Sequence, residues 1–167
     1  MIHIDIFSDT ICPWCLIGKR RLEKALAERP ELDVAIHWRT FQLNPQMPDE
    51  GMDRQTYLSM KFGGPDNADM VYGRIREAGS QEGIDFAFED IARTPNTIDS
   101  HRLVRWAAGQ DKETETVEAL FQAYFFRGED IGNIEVLVAA AQSAGMDGSE
   151  ARAFLESDAM KMELKEE

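Results

Sequence analysis

The stretch IHIDIFSDTICPWC, residues 2–15, holds both cysteines of the chain and joins two different hydrophobic patterns. Apolar residues alternate at Ile2, Ile4 and Ile6, which predicts a half-buried β-strand. A helical pattern follows the CPWC motif at residues 12–15, and proline suits a first helical turn because its missing N–H would have no partner there. The sequence therefore predicts that a strand ends just before the motif and that a helix begins within it.

The two cysteines are expected to differ in environment. Cys12 falls at the predicted helix N-terminus, where unpaired backbone N–H groups and the positive end of the helix dipole stabilise an anion. Such positions lower a cysteine pKa from about 8.5 to roughly 3.5–7.5, and the thiolate is the reactive form, so we expect Cys12 to be the exposed nucleophile. Cys15 is expected to be the shielded thiol that resolves the mixed disulfide, because its helix face should pack on the sheet. That face carries Gly18, Leu22, Ala25 and Leu26.

Three other interpretations of the cysteine pair are left open. A structural zinc site needs four ligands, and the chain offers no third cysteine and only His3, His37 and His101. The thiols could be ordinary buried side chains, since free cysteine is commonly buried. A static disulfide is disfavoured in so large a chain with a single pair. The sequence thus predicts no metal site and no bound cofactor.

Length, composition and charge limit the classes of protein to which the chain can belong. The chain has 167 residues, of which 43% are hydrophobic and 29% charged, as in one soluble domain or one domain with an insertion. No run approaches the ~18 apolar residues of a membrane span and no signal peptide is evident, so we expect a cytoplasmic protein without a membrane partner. The net charge of -13 disfavours nucleic acid as a partner. The basic cluster at residues 19–24 is expected to be the solvated side of the first helix.

The remaining pattern is one further strand followed by helices. Alternation predicts a second strand at residues 34–41, which completes a βαβ unit with parallel strands. Nearly everything after residue 53 is expected to be helical. The predicted helices cover residues 54–61, 69–78, 98–108, 113–127, 134–144, a segment capped by Asp147, and 159–167. Residues 83–88 alternate, and we interpret them as coil held by aromatic burial, since no partner strand is evident.

Two histidines lie in these predicted elements. His101 shares a helix face with Ile98 and Val104, so it is expected to point inward. It either supports the redox site or is a core histidine satisfied by hydrogen bonds. His37 lies on the second strand, where a cross-strand or solvent role is favoured over catalysis.

Four short motifs together resemble the FrnE-like branch of the DsbA family. They are Asp9-x-x-Cys12-Pro13-Trp14-Cys15-x-x-Gly18, Gln42-Leu43-Asn44-Pro45, Thr94-Pro95-Asn96-Thr97 and His101-Arg102. Members of that family are thioredoxin-fold thiol–disulfide oxidoreductases with a large helical insertion. The resemblance implies that Cys12 is the nucleophile and Cys15 its resolving partner. The residues expected to tune or support the pair are Pro13, Trp14, Asp9 and His101.

The same resemblance implies an α/β fold. Residues 1–45 would form the thioredoxin-like βαβ portion that carries CPWC, and residues 46–167 an all-helical insertion subdomain with the start of the following helix. In the thioredoxin fold two more strands and a closing helix follow, with a cis-proline loop that faces the redox pair. The sequence supplies none of these, and Pro95 precedes a helix cap instead of a strand. We therefore expect a truncated form of a longer protein, whose activity by itself is left open.

The leading functional hypothesis is a thiol–disulfide oxidoreductase that exchanges disulfides with protein or small-thiol substrates. One alternative is glutathione-linked chemistry of the kappa-class transferase or hydroxychromene-carboxylate isomerase type, whose members typically carry serine at the Cys12 position. Another is a redox-inactive chaperone or protein-binding module. The expected partners are disulfide- or thiol-containing proteins, with glutathione as a candidate co-substrate and an oligomer not excluded.

Overall fold

The computed structural model describes residues 1–166 and contains the predicted βαβ unit. Its elements are strand β1 (Ile2–Ser8), helix α1 (Pro13–Ala27) and strand β2 (Val34–Thr40). The two strands pair in parallel over the full 7 residues of each. Because parallel neighbours need a crossover connection, α1 packs beside the sheet and its N-terminus lies at the end of β1.

The rest of the chain is mainly helical, as expected. The helices are α2 (Arg54–Phe62), α3 (Pro65–Gln81), α4 (Ile98–Ala108), α5 (Glu113–Phe121), α6 (Ile134–Ser143), α7 (Gly148–Glu156) and α8 (Lys161–Glu166). Helix α5 continues into a π-helical turn at Gln122–Phe126. Within residues 1–166, no helix is both long and apolar enough to cross a membrane.

A short ladder that the sequence did not predict joins two loops of the helical part. Strand β3 (Met52–Asp53) pairs antiparallel with β4 (Arg93–Thr94). A two-residue strand is too short to show alternation, so only the tertiary contact reveals it. The ladder fixes the start of α2 next to the loop that precedes α4.

The core lies among the helices and its centre is aromatic. Phe121 and Phe125 are fully buried on α5 and its π-helical extension. The rings of Phe86 and Phe88 stack with centroids 4.6 Å apart, and Phe86 meets Phe125 edge-on at 5.3 Å. The predicted coil held by aromatic burial is therefore correct for residues 84–87, while Phe88 begins a 3-10 turn.

Several helix starts follow from side-chain caps. Asn133 and Asp147 each accept a hydrogen bond from a backbone N–H in the first turn of α6 and α7, and for Asp147 the sequence predicted this cap. At α4 the acceptor is the side chain of Asn96, which receives the N–H of Ile98. The last predicted helix begins later than expected, at Lys161, and its final residue, Glu167, lies outside the described residues.

Helix α3 differs from its prediction at both ends. It begins at Pro65 instead of residue 69 and continues to Gln81, past the expected stop at Gly79. A Cβ added at Gly79 would lie 2.5 Å from the Cε2 atom of Phe86. The glycine therefore allows the aromatic ring to pack against the helix backbone and does not end the helix.

Helix α1 buries a different face from the predicted one. Ile17 is fully buried and Lys19 is 5% exposed, whereas Gly18 and Ala25 of the expected face are exposed. Lys19 pairs with Glu118 of α5, with 2.7 Å between Nζ and Oε2. The prediction of a solvated basic cluster was wrong for Lys19, because the sequence pattern does not show which side of α1 the distant helix α5 covers.

Candidate active site

Both cysteines lie where β1 gives way to α1. Cys12 is the N-cap residue of α1, with φ -89° and ψ 112°, and Pro13 is the first helical residue. The two thiols are free and both side chains are half-buried, while Trp14 between them is exposed. The motif thus starts the helix as expected, but the expected difference in exposure between Cys12 and Cys15 is not observed.

A hydrogen bond between the two thiols sets their ionisation. Donation from the Cys12 thiol lowers the pKa of Cys15 to about 6, with help from the Ser8 hydroxyl and the Asp9 N–H and against the effect of burial. Donation to Cys15, together with burial, raises the pKa of Cys12, although the N–H groups of Cys15 and Trp14 oppose this. One proton is thus shared by two sulfurs, and the pair loses its first proton far more readily than its second.

One anion shared by the two thiols replaces the expectation of a low pKa at Cys12 alone. The helix N-terminus favours an anion near the motif, but the neighbouring thiol and the Ser8 hydroxyl decide which sulfur carries it. Moving the shared proton from one sulfur to the other transfers the charge to Cys12. The sequence could not show this, because Ser8 reaches Cys15 only after the chain has turned from β1 into α1.

A buried carboxylate and a buried histidine meet beneath the motif. The side chains of Asp9 and His101 are 1% and 5% exposed, and His101 Nε2 lies 3.0 Å from Asp9 Oδ1. The other carboxylate oxygen of Asp9 accepts the N–H of Leu43 at 2.8 Å. The backbone carbonyl of Asp9 accepts the N–H of Cys12 at 3.1 Å. The inward orientation expected for His101 is observed, and its ring is both hydrogen-bonded and adjacent to the redox motif.

Hydroxyl side chains that the sequence did not single out also join α4 to the motif. The hydroxyl oxygens of Thr10 and Ser100 lie 2.7 Å apart and both residues are buried. Ser100 donates to the carbonyl of Thr97 at 2.7 Å. In the sequence, only the positions of Thr10 near Cys12 and of Ser100 next to His101 could have indicated this contact. Two hydroxyl residues so far apart in the chain form no recognisable motif.

A cavity of about 230 Å³ opens beside Cys12, with walls from α1, α2 and α3. Its lining includes Cys12, Trp14, Arg54, Tyr57, Lys61 and Tyr72. Cys15 does not line it. Of the two cysteines, Cys12 therefore borders the cavity and Cys15 does not.

The other two histidines lie away from this site. His3 and His37 stack across the two strands with ring centroids 5.5 Å apart, and His37 Nδ1 lies 3.8 Å from Glu113. His37 thus has the cross-strand position that the alternation favoured. Among residues 1–166 no group of three or more histidine, cysteine, aspartate or glutamate side chains is arranged to hold a metal ion.

Comparison with family models identifies the family to which the chain belongs. A family model described as a DSBA-like thioredoxin domain matches residues 3–167. The chain belongs to the DsbA-like thioredoxin domain family. This membership confirms the resemblance inferred from the sequence and the α/β fold with a βαβ unit and a helical insertion. For this DsbA-like domain, the narrower FrnE-like assignment, the domain boundaries and the truncation stay predictions.

Individual relatives cover most of the chain. The uncharacterized protein YwbO of Bacillus subtilis is 28% identical over 156 residues, which are 93% of this chain and 72% of that protein. The structure of a probable DsbA oxidoreductase from Streptomyces coelicolor matches with a TM-score of 0.87 and 29% identity, covering 99% of this chain and 73% of that one.

Two more distant structures share the fold. A candidate protein disulfide isomerase from Nitrosomonas europaea matches with a TM-score of 0.71 and 15% identity, over 97% of this chain and 74% of that one. A 2-hydroxychromene-2-carboxylate isomerase matches with the same TM-score of 0.71 and 17% identity, over 99% and 76%. At these identities the likeness concerns the fold alone.

Proposed function

We propose that the protein is a thiol–disulfide oxidoreductase in which Cys12 is the nucleophile and Cys15 the resolving thiol. The observation that carries this proposal is the pair of free thiols at the N-terminus of α1, of which only Cys12 lines the adjacent cavity. Membership of the DsbA-like family and the similarity to a DsbA oxidoreductase support the same class of reaction.

The exchange proceeds in two displacements. The Cys12 thiolate attacks one sulfur of a substrate disulfide, a mixed disulfide forms, and the first substrate thiolate leaves. The Cys15 thiolate then attacks the sulfur of Cys12 and expels the second substrate thiolate. The substrate gains two electrons and two protons, and the Cys12–Cys15 pair becomes a disulfide. The reverse sequence oxidises a dithiol substrate, and the redox potential of the pair decides the direction.

The shared proton assigns a role to each sulfur. Because the pKa of Cys15 is lowered and that of Cys12 is raised, the pair gives up one proton readily and keeps the other. When the proton moves to Cys15, Cys12 becomes the anion that meets the substrate. After the mixed disulfide has formed, Cys12 no longer donates a hydrogen bond to Cys15. The Ser8 hydroxyl and the Asp9 N–H are then the groups that still lower the pKa of Cys15 for the resolving step.

Asp9 and His101 are proposed as positioning residues. Their buried pair ties the loop before Cys12 to α4, and the same carboxylate receives the N–H of Leu43. Neither side chain is proposed to contact substrate. Pro13 and Trp14 separate the two sulfurs, and exposed Trp14 borders the cavity as a contact surface for substrate.

The proposed substrates are disulfide- or thiol-containing proteins and small thiols such as glutathione. The glutathione-linked transferase or isomerase reaction is the less favoured alternative, because two cysteines are present and resolution by Cys15 needs no second substrate thiol. The chaperone alternative predicts that exchange is absent while binding of unfolded clients persists after both cysteines are replaced.

Single cysteine variants test the proposed roles directly. In the reduced protein, a chromogenic aromatic disulfide should release two thiol equivalents as the Cys12–Cys15 disulfide forms. Cys15→Ser should release one equivalent and keep the other half bound to Cys12, which mass spectrometry detects. Cys12→Ser should react at least ~10-fold more slowly at pH 6.5, because the remaining thiol, Cys15, does not line the cavity through which the disulfide reaches the motif.

The opposite pattern would reverse the assignment. If Cys12→Ser forms the stable adduct at the wild-type rate and Cys15→Ser reacts slowly, Cys15 is the nucleophile. If both single variants and the wild-type protein react only near pH 8.5 and at equal rates, the thiols are inert and the proposed function is wrong. The double serine variant gives the background rate of thiol release, which is subtracted for the wild type and both single variants.

A further inference from the structure

We propose that the cavity beside Cys12 binds the carboxylate group of a small thiol or disulfide substrate, and that Arg54 is the residue that recognises it. This inference rests on the proposed function, because it names the class of substrate that reaches Cys12. It adds a binding residue on α2, outside the redox motif.

Arg54 is a buried cation surrounded by neutral groups. The residue is 7% exposed and lines the cavity. Its Nη1 atom donates to the hydroxyl of Tyr124 at 3.2 Å and to that of Thr94 at 3.5 Å. The guanidinium carbon lies 5.1 Å from the ring centroid of Tyr72. These contacts hold the side chain in place without neutralising it.

A buried charge of this kind normally has an acidic partner, because an unpaired ion loses its hydration without compensation. Among residues 1–166, Arg54 forms no ion pair with a carboxylate. Burial raises the pKa of Tyr72 and of Tyr124, so both are neutral phenols at physiological pH. A guanidinium has five N–H donors, more than the neighbouring hydroxyls accept. An anion in the cavity would accept from the remaining donors and compensate this charge.

A second cation faces the same cavity. Lys61 also lines it, and its Nζ lies 2.9 Å from the hydroxyl of Tyr57. No aspartate or glutamate of the described residues lines the cavity. The chain as a whole carries a net charge of -13, whereas the lining of this cavity is positively charged, with two cations and no carboxylate. Charge of this sign favours an anionic ligand.

The size of the cavity indicates a small ligand. Its volume of about 230 Å³ is below the ~300–1,000 Å³ typical of sites that enclose a drug-sized molecule. An amino-acid-sized group fits such a space, with its carboxylate on Arg54 and its sulfur at Cys12. Trp14, Phe62 and Tyr72 supply aromatic walls for the apolar part. The chemical class is therefore a carboxylate-bearing thiol or its disulfide.

The test compares an anionic and a neutral disulfide. Oxidised glutathione and bis(2-hydroxyethyl) disulfide are each reacted with the reduced protein, and tryptophan fluorescence or alkylation gives the rate constants. Arg54→Gln should slow the reaction with oxidised glutathione about tenfold, which equals about 1.4 kcal/mol. Its reaction with the neutral disulfide should change less than about threefold, since hydrogen bonds to a charged group are lost only with the anionic probe.

The matched control is Arg74→Gln, which removes an exposed cation from α3 and should leave both rate constants unchanged. Because Arg54 is buried, Lys61→Gln serves as a second variant on an exposed lining residue and should slow only the anionic probe. In the wild-type protein, S-methylglutathione should slow alkylation of Cys12 by iodoacetamide, and its dimethyl ester should not.

The outcomes separate this inference from the proposed function. If the wild-type protein reacts with neither disulfide, the proposed oxidoreductase function fails. If it reacts with both but Arg54→Gln slows both equally or neither, and S-methylglutathione gives no protection, carboxylate recognition by Arg54 is overturned while the redox function stands. A long acidic peptide disulfide that reacts faster than oxidised glutathione would overturn the assignment to a small molecule.

Discussion

Asp9 is the residue that connects the most distant parts of the site. One carboxylate oxygen receives a backbone N–H from the loop after β2 and the other meets His101 of α4, while the residue itself precedes the motif. A buried carboxylate with two partners holds three segments in one geometry. Its removal is therefore expected to disturb the position of the redox motif as well as stability.

Asp9→Asn tests this connection. The amide keeps the shape of the side chain but replaces one acceptor oxygen with an NH₂ group, so either the Leu43 N–H or His101 loses its acceptor. We expect the free energy of unfolding to fall by about 1–3 kcal/mol, as for a buried polar group left unsatisfied. Urea denaturation followed by circular dichroism measures it.

The control for this substitution is Asp49→Asn, at an exposed position, which should change stability by less than about 0.5 kcal/mol. A positioning role also predicts that Asp9→Asn changes the pH profile of thiol alkylation, which a purely structural contact would leave unchanged. Unaltered stability and an unaltered profile would show that the Asp9–His101 pair holds neither the fold nor the motif.

At the scale of single elements, helix α3 shows how packing decides a residue's role. Glycine at position 79 predicts a helix stop from sequence, but the helix continues for two more residues, and the ring of Phe86 occupies the space that a side chain at this position would take. Helix propensity describes the effect of a glycine within its own helix, whereas the contact at Gly79 is made by Phe86, which lies outside the helix.

Two glycines of the same helix provide a matched experiment. Gly79→Ala should destabilise the protein by about 1–3 kcal/mol, because the new methyl group would meet the Phe86 ring at 2.5 Å and overpack the contact. Gly73→Ala has no neighbouring atom within 4 Å of the added Cβ and should stabilise by about 0.5–1 kcal/mol through helix propensity alone. Thermal and urea unfolding compare the two, and equal effects would contradict the packing explanation.

On the scale of the whole molecule, ion pairs connect the βαβ unit to the helical part. Glu118 of α5 accepts from Lys19 at 2.7 Å and from Arg20 at 2.5 Å, both on α1. Burial by itself would raise the pKa of Glu118, but the hydrogen bonds from Arg20, Lys19 and Gln122 lower it to about 2. The charge therefore links the two parts of the chain over most of the accessible pH range.

The lowered pKa of Glu118 predicts that the protein loses stability in acid. A carboxyl whose folded pKa lies below its unfolded value near 4.5 stabilises the protein fully above that pH, and the contribution is lost as the pH falls toward 2. Glu118→Gln should thus be less stable than the wild type at pH 7, and the difference should shrink between pH 4.5 and pH 2. Urea unfolding at several pH values measures it.

The control is Glu77→Gln, on the exposed side of α3, which should follow the wild-type curve. A stability difference for Glu118→Gln that stays constant from pH 7 to pH 2 would mean that packing, and not charge, accounts for the effect. If the difference in free energy of unfolding grew as the pH fell, the ionised form of Glu118 would not be the form that stabilises the fold.

The sequence by itself determined the βαβ unit, most helices and the position of the CPWC motif, because alternation, helical periodicity and caps are local signals carried by neighbouring residues. Tertiary structure decided the rest. Which face of α1 is buried, how the proton is shared between Cys12 and Cys15, and the meeting of Asp9 with His101 all depend on contacts between segments far apart in the chain. The position of uncompensated Arg54 beside Cys12 is of the same kind, since local patterns carry no information about distance through space.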